Sequence, residues 1–134
     1  MARPKHPHPT PAELETLNLL WEHGPLTVRE VMERTSKNSR GYTTVMSLMN
    51  VMYEKGLLTR KQEGRAFRYA AKAKQEKTLR KMLRDLLGRA FEGSSSALVA
   101  HLLECSSPDL EELKAIRQAI ESYERREGIH EDGH

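Results

Sequence analysis

Apolar residues recur at helical spacing in three short segments of the first half of the chain. The first segment follows Thr-Pro-Ala-Glu at residues 10–13, which is a capping box with proline at the first helical position, and it stops at Gly24. A second capping box opens the segment 27–35. The third segment, from about residue 43 to residue 55, repeats apolar side chains at i, i+3, i+4 and i+7. The pattern predicts three helices, with a polar loop at 36–41.

A β-hairpin and three more helices are predicted in the rest of the chain. Alternating residues over 57–61 and 66–71 indicate two strands, and Glu63-Gly64 lies at the turn, where glycine permits a positive φ. A broad apolar stripe predicts a helix from about residue 74 to residue 93. Serines at 94–96 precede a short helix at 97–104, and a last helix from about residue 110 has near-heptad apolar spacing.

This order of elements predicts a mainly α fold with a small β-hairpin, namely a winged helix-turn-helix plus a C-terminal helical dimerisation region. We expect a flexible N-terminal tail at 1–9, a winged-helix DNA-binding domain at 10–72, a helical dimerisation domain at 73–127 and a flexible tail at 128–134. Nothing else in the chain is large enough to cover the C-terminal apolar stripes. The residues expected at the dimer interface are Leu79, Met82, Leu83, Leu86, Leu98, Leu102, Leu113, Ile116 and Ile120.

Charge is divided unevenly along the 134 residues. Residues 1–71 and residues 72–93 each carry a net charge of +4, whereas residues 94–134 carry −5. This asymmetry indicates a polyanion at one end and a different partner at the other. No apolar run approaches the roughly 18 residues that span a bilayer, and no secretory signal is recognisable. We therefore expect a cytoplasmic protein without membrane insertion.

The outward face of the third helix carries hydroxyl and amide groups where charges are usual. In a helix-turn-helix unit the second helix of the pair lies in the major groove, and here that is the third helix. Asparagine can pair bidentately with adenine, and methionine can contact a thymine methyl group. The residues expected to read bases are Thr43, Thr44, Met46, Ser47 and Asn50.

Basic residues precede this helix and decorate the hairpin that follows it. Such side chains supply affinity along the DNA backbone without reading sequence. A polar outward face alone is typical of any surface helix, but a basic hairpin directly after it favours DNA as the partner. The expected backbone contacts are Arg40, Arg60, Lys61, Arg65 and Arg68.

Two other functions stay open. A winged-helix protein–protein module would present the third helix to a protein partner. A metal-responsive regulator would use His101 and Cys105, four residues apart on one helix, with the N-terminal histidines. Cys105 is expected to be a buried small apolar side chain. We expect no enzyme activity, no cofactor and no metal site, because the sequence lacks a catalytic constellation and a complete ligand set.

Several stretches together resemble the penicillinase repressor (BlaI/MecI) family of winged-helix transcriptional regulators. The most specific are the Thr-Thr-Val start of the third helix at 43–45 and the hairpin segment from Gly64 to Tyr69. The resemblance covers about residues 10–127. It is carried by the stretches 12–21, 28–31, 42–45, 54–58 and 63–69 and continues through 91–104.

The resemblance implies a homodimeric repressor that binds a palindromic operator through the winged helix. In the family, β-lactam sensing by a membrane metalloprotease sensor ends in proteolysis of the repressor between an asparagine and a phenylalanine. The matching positions here are His101 and Leu102, so the residue before the implied cut has changed. Copper-responsive members carry a cysteine-rich C-terminal motif, which a lone Cys105 rules out here.

Overall fold

The computed structural model describes residues 8–35 and 40–129. The tail predicted at 1–9 falls mostly outside these residues, as do most of the loop at 36–41 and the last five residues. The described helices are α1 (Pro11–His23), α2 (Val28–Arg34), α3 (Tyr42–Glu54), α4 (Gln75–Phe91), α5 (Ser95–Ser106) and α6 (Leu110–Glu127). The described strands are β1 (Leu26–Thr27), β2 (Leu58–Glu63) and β3 (Ala66–Ala71). The chain divides into two compact units, of which the first ends at Asp85 and the second begins at Leu86.

The first two helices begin at the two capping boxes that the sequence predicts. The Thr10 hydroxyl accepts a hydrogen bond from the Glu13 N–H at 3.2 Å, and the Glu13 carboxylate accepts one from the Thr10 N–H at 2.9 Å. Thr27 and Glu30 repeat both bonds at the same distances. Each box satisfies two of the N–H groups that a helix start leaves without partners, so both helix starts are fixed locally.

A three-stranded antiparallel sheet has the order β1-β3-β2. The short strand β1, which the sequence pattern does not predict, pairs Leu26 with Tyr69. In the hairpin, Glu63 pairs with Ala66, so the two-residue turn is formed by Gly64 and Arg65 and lies one residue later than predicted. Gly64 has a φ of 64°, in the region that glycine adopts without steric cost.

The core of the first unit lies between α1, α2, α3 and the sheet. The predicted inner face of α3 is confirmed, with Val45, Met49 and Met52 buried and Leu48 partly buried against them. The other buried apolar residues are Leu17, Leu20, Leu26, Val28, Val31, Leu58 and Tyr69. The chain after the hairpin is joined to α1, because the indole Nε1 of Trp21 donates to the Ala73 carbonyl at 2.9 Å.

The C-terminal helices contain no buried residue within the part of the chain that the structure describes. Helix α5 begins two residues earlier than predicted, because Ser94 caps it and leaves Ser95 and Ser96 in the first turn. It also ends two residues later than predicted, at Ser106, where Ser107 follows with a left-handed φ of 46°. The expectation that Cys105 is buried is wrong: its side chain is exposed on α5. Among the described residues, no helix is long and apolar enough to cross a membrane.

Candidate nucleic-acid interface

The outward face of α3 carries the five residues predicted to read bases. Four of them, Thr43, Thr44, Met46 and Ser47, are exposed, and Asn50 is half-buried one turn further along. No charged side chain occurs from Tyr42 to Tyr53, so this helix face presents hydrogen-bonding and apolar groups only. Met46 and Asn50 also line a groove that α3 forms with the start of α2 and the hairpin.

Arg60 on β2 fills the space between α3 and the hairpin. Its guanidinium carbon lies 4.0 Å from the centre of the Tyr53 ring and 4.1 Å from the centre of the Phe67 ring. Its Nη1 donates to Oδ1 of Asn50 at 3.2 Å and to the Tyr69 hydroxyl at 3.5 Å. Cation–π contacts and hydrogen bonds therefore hold this predicted backbone contact in place and join the hairpin to α3.

Arg68 on β3 is held by two carboxylates. Its Nη2 lies 2.7 Å from Oε2 of Glu63, its Nη1 lies 3.0 Å from Oε1 of Glu30, and Nη1 also donates to the Pro25 carbonyl at 3.1 Å. The hydrogen bond with Glu63 is the main cause that raises the pKa of Arg68, and the same bond lowers the pKa of Glu63 below 4.5. These contacts fix the hairpin to the start of α2.

The other three predicted backbone contacts differ in their surroundings. Lys61 and Arg65 are exposed on the hairpin, and Arg65 also lines the groove beside α3. Arg40 is half-buried, and its Nη1 lies 3.3 Å from Oε1 of Glu15 on α1. The structure therefore brings the hairpin residues and the α3 face together, whereas Arg40 pairs with α1.

Sequence reasoning missed the aromatic residues of the interface. Tyr53 and Phe67 flank Arg60, and the side chain of Arg29 lies 5.6 Å from the centre of the Tyr42 ring in the same groove. The hairpin register, which places Arg60 opposite Tyr69 and diagonal to Phe67, is a signal that could have found Phe67. It could not have found Tyr53, which lies on α3. Arginine side chains across a strand pair from aromatic rings are expected to pack on them.

The described residues contain no side-chain cluster that would support the metal-responsive alternative. Within residues 8–35 and 40–129, no group of three or more His, Cys, Asp or Glu side chains is arranged to hold a metal ion. His101 instead packs against Phe91, with ring centres 5.2 Å apart. His6, one of the N-terminal histidines, lies outside the described residues.

The first unit contains three helices and a small sheet, and the β2–β3 hairpin of that sheet forms a basic wing beside the uncharged face of α3. These features define a winged-helix protein of the DNA-binding type. The sequence matches the family model described as "Penicillinase repressor" over residues 9–122. The chain belongs to the penicillinase repressor family, which is a family of winged-helix transcriptional repressors. The resemblance that the sequence motifs indicate is thereby confirmed.

The chain is similar to two curated proteins and to part of one solved structure. The chain is 27% identical over 123 residues to the penicillinase repressor of Bacillus licheniformis, with 91% of this chain and 96% of the relative covered. It is 31% identical over 119 residues to the transcriptional regulator BlaI of Mycobacterium tuberculosis, with 87% and 85% covered. A solution structure of the DNA-binding domain of the repressor BlaI is 28% identical and aligns with 55% of this chain and 90% of that domain, at a TM-score of 0.47.

Proposed function

We propose that two copies of this chain bind a palindromic DNA operator together and repress the transcription of adjacent genes. Helix α3 enters the major groove of each half-site, and base edges are read by Thr43, Thr44, Met46, Ser47 and Asn50. The observation that carries this proposal is the absence of charge along Tyr42–Tyr53, directly beside a basic wing. Hydroxyl, amide and methyl groups on this face can meet base edges in the major groove, and the basic residues of the adjacent hairpin supply the positive charge that phosphates attract.

The wing supplies contacts to the DNA backbone. Lys61 and Arg65 are exposed and can neutralise phosphates directly. Arg40, Arg60 and Arg68 are each held by protein partners, so the guanidinium donors that are left over add at most weaker contacts to phosphate. Arg60 and Arg68 therefore mainly fix the position of the wing, and because Arg68 is paired with two carboxylates, most of the positive charge offered to phosphate comes from Lys61 and Arg65.

Dimerisation is supported by the apolar side chains of the C-terminal helices. None of the nine residues predicted at the interface is buried within one chain, and Leu83 is 54% exposed and Ile120 51% exposed. Soluble monomers rarely leave such repeated apolar faces open to water, so a second copy is the natural cover. Pairing two winged helices also gives the affinity that a single small domain lacks, because both half-sites are bound at once.

A charge-insertion pair tests DNA binding through α3. Ser47→Asp places a negative charge on the outward face of α3, whereas Asn18→Asp places the same charge at an exposed position of α1. We expect the first change to weaken binding to operator DNA at least about 100-fold by repulsion from phosphate and the second to change it little. Fluorescence anisotropy with a labelled duplex measures both. Equal binding by both variants would favour the protein–protein module.

Relief of repression by proteolysis belongs to the same proposal. His101 and Leu102 are both exposed in the middle of α5, and cleavage between them would break the proposed dimerisation region. Helix α5 must open locally before a membrane metalloprotease sensor can engage its backbone. The test is to expose producing cells to a β-lactam and analyse the repressor by mass spectrometry. A fragment ending at His101 is expected, and an intact repressor with induced target genes would exclude this switch.

A further inference from the structure

We propose that Asn50 reads DNA only as a hydrogen-bond donor, through its Nδ2 amide, and that Tyr69 and Arg60 are the positioning residues that impose this orientation. The proposal rests on the proposed function, since it concerns how the same face of α3 recognises a base. It replaces the bidentate contact with adenine that the sequence alone suggests for Asn50.

Three polar groups form a closed triangle behind the outward face of α3. Oδ1 of Asn50 lies 3.2 Å from Nη1 of Arg60 and 3.1 Å from the Tyr69 hydroxyl. Nη1 of Arg60 also lies 3.5 Å from that hydroxyl. Tyr69 is only 2% exposed, so the triangle has a rigid base in the core.

The chemistry of the partners fixes which end of the Asn50 amide faces inward. A guanidinium can only donate hydrogen bonds, so the group that faces Arg60 must be the amide oxygen. Since the Tyr69 hydroxyl accepts from Arg60, its own hydrogen is left to donate to the same oxygen. Both lone pairs of Oδ1 are therefore engaged inside the protein.

The Nδ2 group of Asn50 is left for DNA. Among the described residues, Nδ2 has no acceptor within hydrogen-bond distance. The atom is also not fully buried, so a partner from outside the protein can reach it. Bidentate pairing with adenine would need a free Oδ1 to accept from the N6 amino group. A donor alone instead selects the acceptors of the major groove, which are purine N7, guanine O6 and thymine O4.

Two rings keep Arg60 from leaving the triangle. Tyr53 and Phe67 lie on its guanidinium at 4.0 and 4.1 Å, and such stacking holds an arginine that would otherwise turn toward phosphate. The orientation of Asn50 is thus set before DNA arrives, which lowers the entropy lost on binding.

Atom-by-atom substitution in the DNA tests the donor assignment. The full chain first selects its preferred duplex from a randomised pool, and single acceptors of that duplex are then removed: N7 with 7-deazapurines, O6 with 2-aminopurine and O4 with 5-methyl-2-pyrimidinone. Replacing adenine with unsubstituted purine removes the N6 amino group and tests for the bidentate contact, which uses both N6 and N7. We expect removal of one acceptor to weaken binding of the wild-type chain about 3- to 10-fold, a typical effect of one hydrogen bond. The same removal should leave Asn50→Ala unchanged within about 2-fold. Coupling of Asn50 to the N6 amino group of an adenine, or to no atom at all, would overturn the inference.

The Tyr69→Phe variant tests the positioning role. Because Tyr69 is buried, a change in base preference cannot come from its own contact with DNA. We expect Tyr69→Phe to relax preference at the same base pair as Asn50→Ala, whereas Arg65→Ala should weaken all sequences evenly. An even loss for Tyr69→Phe would mean that its hydroxyl only stabilises the fold, and would contradict the proposal.

The selection of duplexes distinguishes failure of this inference from failure of the proposed function. A pool without any preferred duplex would contradict the proposed function itself, whereas a preferred duplex without coupling to Asn50 would contradict only this inference.

Discussion

Nζ of Lys55 lies 2.7 Å from Oε2 of Glu13, and this ion pair joins the end of α3 to the start of α1. Glu13 is 3% exposed, and its other carboxylate oxygen accepts from the N–H of Thr10. One side chain therefore completes the capping box of α1 and also fixes the C-terminal end of the proposed recognition helix. Burial of Glu13 is stabilising only because both oxygens have partners.

The pH dependence of stability should report this pair. Burial raises the pKa of Glu13, but hydrogen bonds from Lys55 and Thr10 outweigh it and bring the pKa below 4.5. A carboxylate with a lowered folded pKa contributes stability above its unfolded pKa, and the contribution is lost as pH falls through the folded value. We expect Glu13→Gln to lower the free energy of unfolding by about 1–2 kcal/mol at neutral pH and by less at pH values well below 4.5.

Urea unfolding at several pH values measures this effect. Glu22→Gln is the matched control, because Glu22 lies on the same helix and its side chain is 73% exposed. The control should unfold like the wild type throughout. A Glu13→Gln deficit that stays constant down to the acid range would show that the effect does not come from the charge of Glu13.

The salt dependence of DNA binding should separate phosphate contacts from other contacts. Arg65 is exposed and follows Gly64 at the tip of the wing. We expect Arg65→Ala to weaken specific and non-specific duplexes about equally and to make the slope of log K against log salt shallower by about 0.9. Lys114→Ala, which removes a positive charge from exposed α6, is the control and should leave the slope unchanged. An unchanged slope for Arg65→Ala would count against a phosphate contact there.

The bond between Trp21 and Ala73 should contribute to the stability of the first unit. Replacing Trp21 with Phe removes the donor and leaves the Ala73 carbonyl without this hydrogen bond. We expect the free energy of unfolding to fall by about 1 kcal/mol or somewhat more, since the smaller ring also fills less space. Thermal unfolding of Trp21→Phe measures this change, and an unchanged melting temperature would mean that the bond adds nothing.

Dimerisation should depend on the apolar face of α6 and not on its polar face. Ile120→Asp and Gln118→Asp each add one negative charge at an exposed position of the same helix. We expect the first variant to be monomeric at micromolar concentration, because burial of a carboxylate in an apolar interface costs several kcal/mol. The second variant should remain dimeric. Sedimentation velocity distinguishes these outcomes, and a monomeric wild-type chain would contradict the proposed dimer.

Features set by neighbouring residues were predictable from the sequence. The capping boxes at Thr10 and Thr27 depend on residues three positions apart, and the buried face of α3 depends on helical spacing within one element. Strand β1 was not predictable in this way, because two residues are too few to show alternation.

Features set by distant residues had to come from the structure. The position of Arg60 depends on the register of the hairpin and on where α3 packs, so the sequence assigned it only to the DNA backbone. The exposure of Cys105 likewise depends on what covers α5. The general tendency of cysteine to be buried predicted Cys105 wrongly, because α5 contains no buried residue in the single chain.

The most direct test of the whole account is selection of duplexes from a fully randomised DNA pool by the wild-type chain, followed by sequencing. A homodimer that reads both half-sites through α3 should enrich two inverted copies of one short motif, with centres about 10 base pairs or a multiple of that apart. Enrichment of a single unpaired motif would contradict the dimeric arrangement. A pool that stays random after repeated rounds would contradict operator recognition by this face of α3.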